Sequence, residues 1–255
     1  MLTPRLIPCL DVRDGRVVKG INFQNLRNVG DPVDFATKYE ASGADEIVML
    51  DVSATSEHRS AALNTVRALR RVLSIPLTVG GGVRSESDAS ALLDAGADKV
   101  ALNTASVQSP ILLTRLANRF GCQCIVQAID AKRLDTGSSA SGWTVFTHAG
   151  TRDTNIDAVD FARSAAGCGA GELLLTSIDH DGTGSGFDIP LLRAIAGIID
   201  IPVIASGGGR TPQHLAAALD AGASAVLVAT ILHDGHNTVA SLKQSLQALN
   251  VKVRA

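Results

Sequence analysis

The amino-acid sequence has no excess of charge of either sign. Its 23 Lys and Arg side chains nearly balance 25 Asp and Glu side chains, which gives a formal net charge of -2 at pH 7. The basic residues are scattered and form no polybasic run. Because nucleic-acid binding depends on a concentrated positive field, we expect no nucleic-acid partner.

Long apolar runs are missing as well, although 45% of the 255 residues are hydrophobic. No stretch approaches the roughly 20 residues that a transmembrane helix needs. The opening segment, MLTPRLIPCLD, lacks the layout of a signal peptide. The sequence therefore predicts a cytoplasmic protein that does not bind membranes, with enough length for one large domain or two small ones.

Cysteine is scarce, and the four that occur are Cys9, Cys122, Cys124 and Cys168. They form no CxxC pair and have no histidine at ligand spacing, so we interpret them as buried thiols and expect no metal. The motifs of serine hydrolases, P-loop nucleotidases and zinc enzymes are also missing. Without a complete GxGxxG fingerprint, a dinucleotide is not expected either, and we predict no cofactor.

The sequence does contain an internal repeat, in which one segment of the chain occurs twice. Residues 75–104, IPLTVGGGVRSESDASALLDAGADKVALNT, align without a gap with residues 201–230, IPVIASGGGRTPQHLAAALDAGASAVLVAT. The offset is 126 residues (230 minus 104), close to half the chain. Each copy reads as strand, glycine turn, amphipathic helix and strand, which is a parallel unit laid down twice.

The glycine turn of each copy is a candidate anion site. Glycines directly after a strand let the backbone N–H groups approach a phosphate. The simpler alternative is that Gly82 and Gly208 only form tight turns. The small polar strand ends that follow, Asn103-Thr104 and Ala229-Thr230, favour ligand binding in both copies. A substrate with a phosphate at each end would span the two sites.

Eight strand-helix units can be counted without a linker between the halves. They include strands at Leu6–Leu10 and Glu172–Thr176, and a fifth strand that ends at Asp130. Residues 11–32 are interpreted as a long lid loop, and Trp143–Thr147 as part of a small hairpin. We therefore predict a single (β/α)8 TIM barrel over residues 1–255, with a pseudo-twofold half-barrel repeat. An open doubly wound sheet is the alternative, but it does not explain two matching halves.

The ends of barrel strands carry the candidate catalytic groups, because TIM-barrel chemistry lies at that face. Asp11 ends the first predicted strand and Asp130 the fifth, so they are expected on opposite sides of one mouth. Two facing carboxyl groups can divide general acid and general base work. The alternative is that each caps a neighbouring loop. Asp51 and Thr176 end two other strands.

Two further sets of polar residues stand out. Lys19 in the predicted lid could reach an anionic substrate, and Asp181-Gly182 could help to hold a phosphate; a solvated lysine and a simple turn are the alternatives. At the starts of strands stand Arg5, Glu46, Lys99 and Glu172. These alternating charges are expected at the bottom of the barrel, where they form either an ion-paired plug or a gate to a passage.

Several motifs together resemble one known family. They are IPCLDVRDGRVVKGINFQNLRNVGDP, TVGGGVR, DKVALNTA, AIDAKR, GAGELLLTSIDHDGTGSG and IASGG. Across nearly the whole chain the sequence looks like the cyclase subunits of imidazole glycerol phosphate synthase from histidine biosynthesis. The related isomerases of the same pathway share the half-barrel duplication, but the segment around Lys19 and the AIDAKR motif resemble the cyclases more closely.

The resemblance implies a reaction and a set of roles. Asp11 and Asp130 would be the catalytic acids, and Lys19 would lie in a lid over the substrate. Gly82, Asn103 and Thr104 would bind one phosphate of a ribulosyl aminoimidazole carboxamide ribonucleotide. The residues that would surround the other phosphate are Asp181, Gly182, Gly208, Ala229 and Thr230, while Thr176 is a further candidate for substrate binding because it ends a strand. A glutaminase partner on the bottom face would supply ammonia past the charged set at the strand starts.

The chain departs from the family pattern in three places. Gly209-Arg210 stands where the family usually has Ala-Gly, which adds a positive charge at the second glycine turn. Val228-Ala229-Thr230 replaces the commoner Ala-Ala-Ser and keeps a hydroxyl. The loop after Lys132 is longer than in compact members. Two other functions remain as alternatives at this stage: the isomerase of the same pathway, and a non-catalytic barrel that binds bisphosphorylated metabolites and regulates a partner.

Overall fold

The structure, a computed structural model, describes residues 3–21, 24–52, 59–134, 139–233, 235 and 237–254. Its strands are β1 (Arg5–Arg13), β2 (Arg16–Ile21), β3 (Gln24–Gly30), β4 (Ile47–Asp51), β5 (Leu77–Gly80), β6 (Lys99–Leu102), β7 (Ile125–Arg133), β8 (Trp143–Thr147), β9 (Arg152–Asp157), β10 (Glu172–Ser177), β11 (Val203–Ser206) and β12 (Ala225–Val228). Its helices are α1 (Pro32–Ala41), α2 (Arg59–Val72), α3 (Glu86–Asp94), α4 (Thr104–Gln108), α5 (Ile111–Phe120), α6 (Ala158–Gly167), α7 (Ile189–Ala196), α8 (Pro212–Asp220), α9 (Thr230–His233) and α10 (Val239–Ala248). None of these described helices is long and apolar enough to cross a membrane.

Eight parallel strands close into a ring in the order β1, β4, β5, β6, β7, β10, β11, β12. The ring closes where Arg5 in β1 pairs with Ala225 in β12, and where β7 and β10 pair along six positions from Glu172 to Ser177. This confirms the predicted (β/α)8 barrel. The open-sheet alternative is wrong, because an open sheet has two edge strands, whereas each of these eight strands is hydrogen-bonded to a barrel strand on both sides.

The repeated segments fold alike, and their helices begin at matching caps. The Ser85 hydroxyl accepts a hydrogen bond from the backbone N–H of Asp88 at the start of α3, and the Thr211 hydroxyl accepts one from His214 at the start of α8. A hydroxyl at this position satisfies an N–H that has no partner within the helix. The two caps differ by the same 126 positions as the rest of the repeat (211 minus 85).

Side chains alternate between the two sides of each barrel strand. In β1, Leu6 and Leu10 pack in the layer between strands and helices, whereas Ile7 and Cys9 belong to a separate cluster inside the barrel. The other fully enclosed members of that inner cluster are Val48, Ala101, Val126, Leu174, Ile204, Ala225 and Leu227. This period of two also sends Arg5 and Asp11 into the barrel, at its opposite ends.

Two antiparallel hairpins extend the barrel. The lid loop predicted for residues 11–32 instead contains β2 and β3, which pair with each other and, through Val12 and Val17, with β1. The charged residues in this stretch obscured the strand pattern, and residues 22 and 23 lie outside the described part of the chain. The hairpin predicted near Trp143 is confirmed: β8 pairs with β7 and with β9. Of the longer loop before it, residues 135–138 lie outside the described part.

The interpretation of all four cysteines as buried thiols is wrong for three of them. Cys9 is buried inside the barrel, but Cys122 is exposed, and Cys124 and Cys168 are half-buried. Cys122 and Cys124 lie in a short 3-10 turn between α5 and β7 rather than in the strand. A residue in such a connection faces solvent even when its neighbours in sequence are apolar.

The glycine turn of the first repeat packs directly on the end of β4. Gly81 has φ +97°, and a Cβ at this position would lie 2.2 Å from the carbonyl oxygen of Asp51. Gly82, with φ +68°, has open space where its side chain would point. Close approach and backbone conformation therefore both require glycine at position 81, whereas only conformation favours it at position 82.

We expect Gly81→Ala to destabilise the protein by more than about 2 kcal/mol, because the added methyl collides with backbone. Gly82→Ala should cost only about 1 kcal/mol, the strain of a left-handed alanine. Urea unfolding of both variants measures the difference in the free energy of unfolding. Equal losses at the two positions would contradict the packing described for Gly81.

Candidate active site

A cavity of about 1130 Å³ lies at the C-terminal ends of the barrel strands. Its walls include residues from all eight barrel strands and from turns that follow them, among them Asp11, Gly82, Asp130, Thr176 and Ala229. The volume is slightly larger than the roughly 300–1,000 Å³ of most sites that enclose small molecules. A single concave site therefore receives most of the residues that the sequence marked for catalysis and substrate binding.

Asp11 lies at one side of this cavity. Its Oδ1 atom is 3.6 Å from the Sγ atom of Cys9, the residue one step below it inside the barrel. Burial by the barrel, followed by the nearby charge of Asp181, raises the pKa of Asp11 to about 7, although the Cys9 contact lowers it slightly. The carboxyl group is therefore poised between its two protonation states near neutral pH.

Asp130 stands directly across the ring. Three barrel strands separate β1 from β7 in each direction, so the two strands are diametrically opposed. The Asn103 amide donates a hydrogen bond of 2.8 Å to Oδ2 of Asp130. Burial raises the pKa of Asp130 to about 7, against the lowering effect of Asn103 and with a further increase from Asp181. The two opposed carboxyl groups thus titrate in the same range.

Asp181 brings a third carboxyl group close to both acids, which sequence reasoning did not anticipate. It lies in the loop after β10, where its backbone N–H donates to the Ser177 carbonyl at 3.0 Å. Burial raises the pKa of Asp181, while a hydrogen bond from the Gly182 backbone lowers it. The charge of Asp181 opposes ionisation of both Asp11 and Asp130, so the titration of these two acids depends on the ionisation of Asp181.

The first predicted phosphate site opens onto the cavity, whose walls include Gly82, Asn103 and Thr104. Asn103 also donates to the carbonyl oxygen of Phe146 in β8, at 3.2 Å, in addition to its bond with Asp130. The side chain of Asn103 therefore ties this site both to one candidate acid and to the β8–β9 hairpin.

The second predicted phosphate site is arranged differently. Asp181 and Ala229 line the cavity, but Gly182, Gly208 and Thr230 are not among its wall residues. A Cβ on Gly208 would lie 2.1 Å from the Gly186 carbonyl oxygen, and the Gly186 N–H donates to the Gly208 carbonyl at 2.9 Å. The loop after β10 thus covers the second glycine turn, while the first one is open.

Lys19 lies on β2, opposite Arg27 in β3, and is half-buried. It is not among the residues that form the cavity wall. The sequence argument placed it in a loop over the substrate, whereas here it belongs to a strand of the first hairpin.

The opposite end of the barrel holds a ring of ion pairs. Arg5 contacts both Glu46, at 2.7 Å, and Glu172; Lys99 contacts the same two carboxylates at 2.9 and 2.8 Å. The structure therefore brings together all four charged residues predicted at the strand starts. Thr78, which the sequence did not single out, joins them by donating to Glu46 at 2.6 Å. Thr78 points inward on β5 and pairs in register with Lys99, and this position could have indicated that it belongs to the charged ring.

Comparison with known proteins gives consistent matches along the whole chain. A family model described as "Histidine biosynthesis protein" matches residues 5–238. Two curated relatives from two strains of Mycobacterium tuberculosis, both called imidazole glycerol phosphate synthase subunit HisF, are 52% identical over 255 residues. The alignment covers 99% of this chain and 96% of each relative.

The elevated pKa of Asp11 predicts a pH-dependent effect on stability. The folded protein disfavours the ionised carboxylate, so this group costs stability progressively from its ordinary pKa of 3.8 up to about 7. Asp11→Asn removes that cost. We expect the variant to match the wild type near pH 4 and to exceed it by about 1–3 kcal/mol at pH 8, measured by urea unfolding across this range.

Asp157 provides a control, because its pKa is shifted in the direction opposite to that of Asp11. It caps α6, and although burial acts to raise its pKa, hydrogen bonds from Ser139 and Ser141 lower it to about 2. Asp157→Asn should therefore lose stability once the pH exceeds about 4, where the wild-type carboxylate is ionised in both states. A stability advantage of Asp11→Asn that does not grow with pH would contradict the burial of its charge.

Proposed function

The chain belongs to the histidine biosynthesis protein family, and we propose from this premise that it catalyses the cyclase reaction of imidazole glycerol phosphate synthase. In that reaction, ammonia from a glutaminase partner and a bisphosphorylated ribulosyl aminoimidazole carboxamide ribonucleotide give imidazole glycerol phosphate and aminoimidazole carboxamide ribonucleotide. The full-length match to two relatives called HisF supports this reaction rather than the isomerase or the regulatory barrel. We treat residues 1–255 as one catalytic domain.

One observation carries the chemistry: Asp11 and Asp130 face each other across one cavity, and the pKa of each is raised to about 7. General catalysis is most efficient when the pKa of the acid or base is near the working pH. At neutral pH, the proton-bearing member of the pair acts as the acid and the ionised member as the base.

The two carboxyl groups act on successive steps. Condensation of ammonia with the ribulosyl carbonyl requires a proton for the departing oxygen, and cleavage and ring closure require protons to be taken from carbon and nitrogen. Acids on both flanks of the substrate can serve these steps without a change in its position. Burial, with a further contribution from the charge of Asp181, raises the pKa of both acids to about 7, so each is partly protonated and partly ionised near neutral pH.

The two phosphates of the substrate are assigned to the two ends of the cavity. Gly82, Asn103 and Thr104 bind the first. Because Gly186 covers Gly208, the second phosphate is expected on the side of Asp181, Gly182, Ala229 and Thr230. Thr176, which pairs in register with Asp130, is assigned to the middle of the substrate, between these two ends. Lys19 on the first hairpin is assigned to the substrate as well, although it lies outside the cavity wall.

The partner belongs at the other end of the barrel. The relatives are subunits of a synthase, which implies a second subunit. We place a glutaminase on the face that carries the strand starts and the ring of Arg5, Glu46, Lys99 and Glu172. Ammonia released there reaches the cavity through the barrel when one of these ion pairs opens.

We expect Asp130→Asn to reduce kcat by at least about a hundredfold, the usual contribution of a positioned acid or base. The amide keeps the size of the side chain and the contact with Asn103, so the fold should be retained. Ring closure is measured with excess ammonium salt and no partner, and circular dichroism monitors the fold. Near-wild-type turnover in this variant would remove Asp130 from its proposed role.

Lys99→Met should reduce the rate with glutamine-derived ammonia by about tenfold or more, which corresponds to about 1.4 kcal/mol. The rate with added ammonium should change less than about twofold. Ammonium salt can enter from the cavity mouth, but the ammonia of the partner must cross the ring. Lys243→Met is the matched control, because Lys243 is also a buried lysine, paired with Asp45 at 2.9 Å outside the ring. Equal losses with both ammonia sources in Lys99→Met would count against a passage.

A further inference from the structure

The turn between β8 and β9 reaches the proposed first phosphate site. His148 and Ala149, at the tip of this hairpin, are wall residues of the same cavity as Gly82 and Asn103. The backbone N–H of His148 donates a hydrogen bond of 3.1 Å to the Thr104 hydroxyl. The hairpin tip is therefore fixed against a residue to which phosphate binding has been assigned.

The backbone at this tip adopts a conformation that side chains disfavour. His148, Ala149 and Gly150 have φ values of +54°, +53° and +76° in succession. A left-handed conformation costs a residue with a Cβ atom about 1–2 kcal/mol. Glycine would avoid this cost at positions 148 and 149, yet the sequence has it only at position 150. Strained positions of this kind cluster at ligand sites, where a particular side chain is needed at a fixed place.

The imidazole of His148 is oriented by its neighbour. Its Nδ1 atom lies 3.1 Å from the Thr147 hydroxyl, which in turn donates to the Arg152 carbonyl at 3.4 Å. Because the single hydroxyl proton is used in that second bond, Nδ1 is the donor to Thr147. The other ring nitrogen, Nε2, is then the atom that can serve a ligand, and in the imidazolium form it is an N–H donor.

We propose that His148 is a specificity-determining residue that donates from Nε2 to the phosphate in the first site, formed by Gly82, Asn103 and Thr104. This inference rests on the proposed function and assigns one further contact within it. Three other cations, Arg84, Arg115 and Arg119, are also wall residues of the cavity. Arg115 and Arg119 on α5 line the cavity, but both are paired with Glu86, at 2.8 and 3.6 Å.

His148→Asn tests the contact without disturbing the turn. Asparagine tolerates a left-handed backbone and keeps the N–H that bonds to Thr104, but it removes the imidazole. We expect the KM for the bisphosphorylated substrate to rise about five- to tenfold, the effect of one charge-assisted hydrogen bond, with kcat within about twofold of wild type. The inhibition constant of inorganic phosphate should rise by a similar factor. His148→Lys, which restores a cationic donor, should recover most of the loss.

Asn155→Ala is the control for the hairpin itself. Asn155 also has a left-handed backbone, φ +56°, in the same hairpin, but it is exposed on β9 and is not among the cavity wall residues. Its KM should remain that of the wild type. An equal rise in KM for Asn155→Ala and His148→Asn would overturn the proposal, because it would point to loss of hairpin conformation.

The same measurements separate this inference from the proposed function. An active wild type with an unchanged KM in His148→Asn refutes the phosphate contact and leaves the cyclase assignment intact. An inactive wild type refutes the cyclase assignment, and calorimetric titration of both proteins with inorganic phosphate then tests the contact alone. Weaker phosphate binding by His148→Asn supports the contact, whereas equal binding overturns it.

Discussion

Hydrogen bonding between β1 and β12, and between β7 and β10, closes the sheet, and the arrangement of the site depends on that closure. In a closed ring, every side chain that points inward is enclosed by the other strands of the barrel. The period of two along β1 then places Arg5 at one end, Ile7 and Cys9 in the apolar middle, and Asp11 at the mouth. The same rule on β7 brings Asp130 to the opposite wall. The carboxyl groups meet at one cavity because of strand geometry rather than loop conformation.

This geometry places charged groups where their solvation is poor. Asp11, Asp130 and Asp181 are close enough that the burial of each and the charge of the last raise the pKa values of the first two. An apolar or amide side chain at these positions would be easier to bury, so the site lowers the stability of the fold in exchange for groups that titrate near neutral pH. At the other end, Glu46 and Glu172 are also deeply buried, but there Arg5 and Lys99 supply two counter-charges.

The duplicated segment was the strongest signal in the sequence, because a gapless repeat with strand and helix periodicity specifies both the architecture and the positions of its turns. The placement of Asp11, Asp130 and the four-residue charged ring followed from counting strands. Features that depend on how loops pack were not accessible. The proximity of Asp181 to both acids, the cover of Gly186 over Gly208, and the contact of His148 with Thr104 all join segments distant in sequence. The hairpin of β2 and β3 was missed because its charged residues conceal the alternation of apolar and polar residues that indicates a strand. Thr78 was missed because its sequence context does not distinguish it from the other threonines in strands.

The covered turn at Gly208 has a consequence for the direction in which a ligand can lie. A barrel built from two equal halves offers two equivalent ends, and a molecule with a phosphate at each end could enter it head first or tail first. Gly186 closes one end that remains open at Gly82 in the other half. The two ends of the cavity are therefore not equivalent, so a ligand with a phosphate at each end would meet different surroundings in its two orientations.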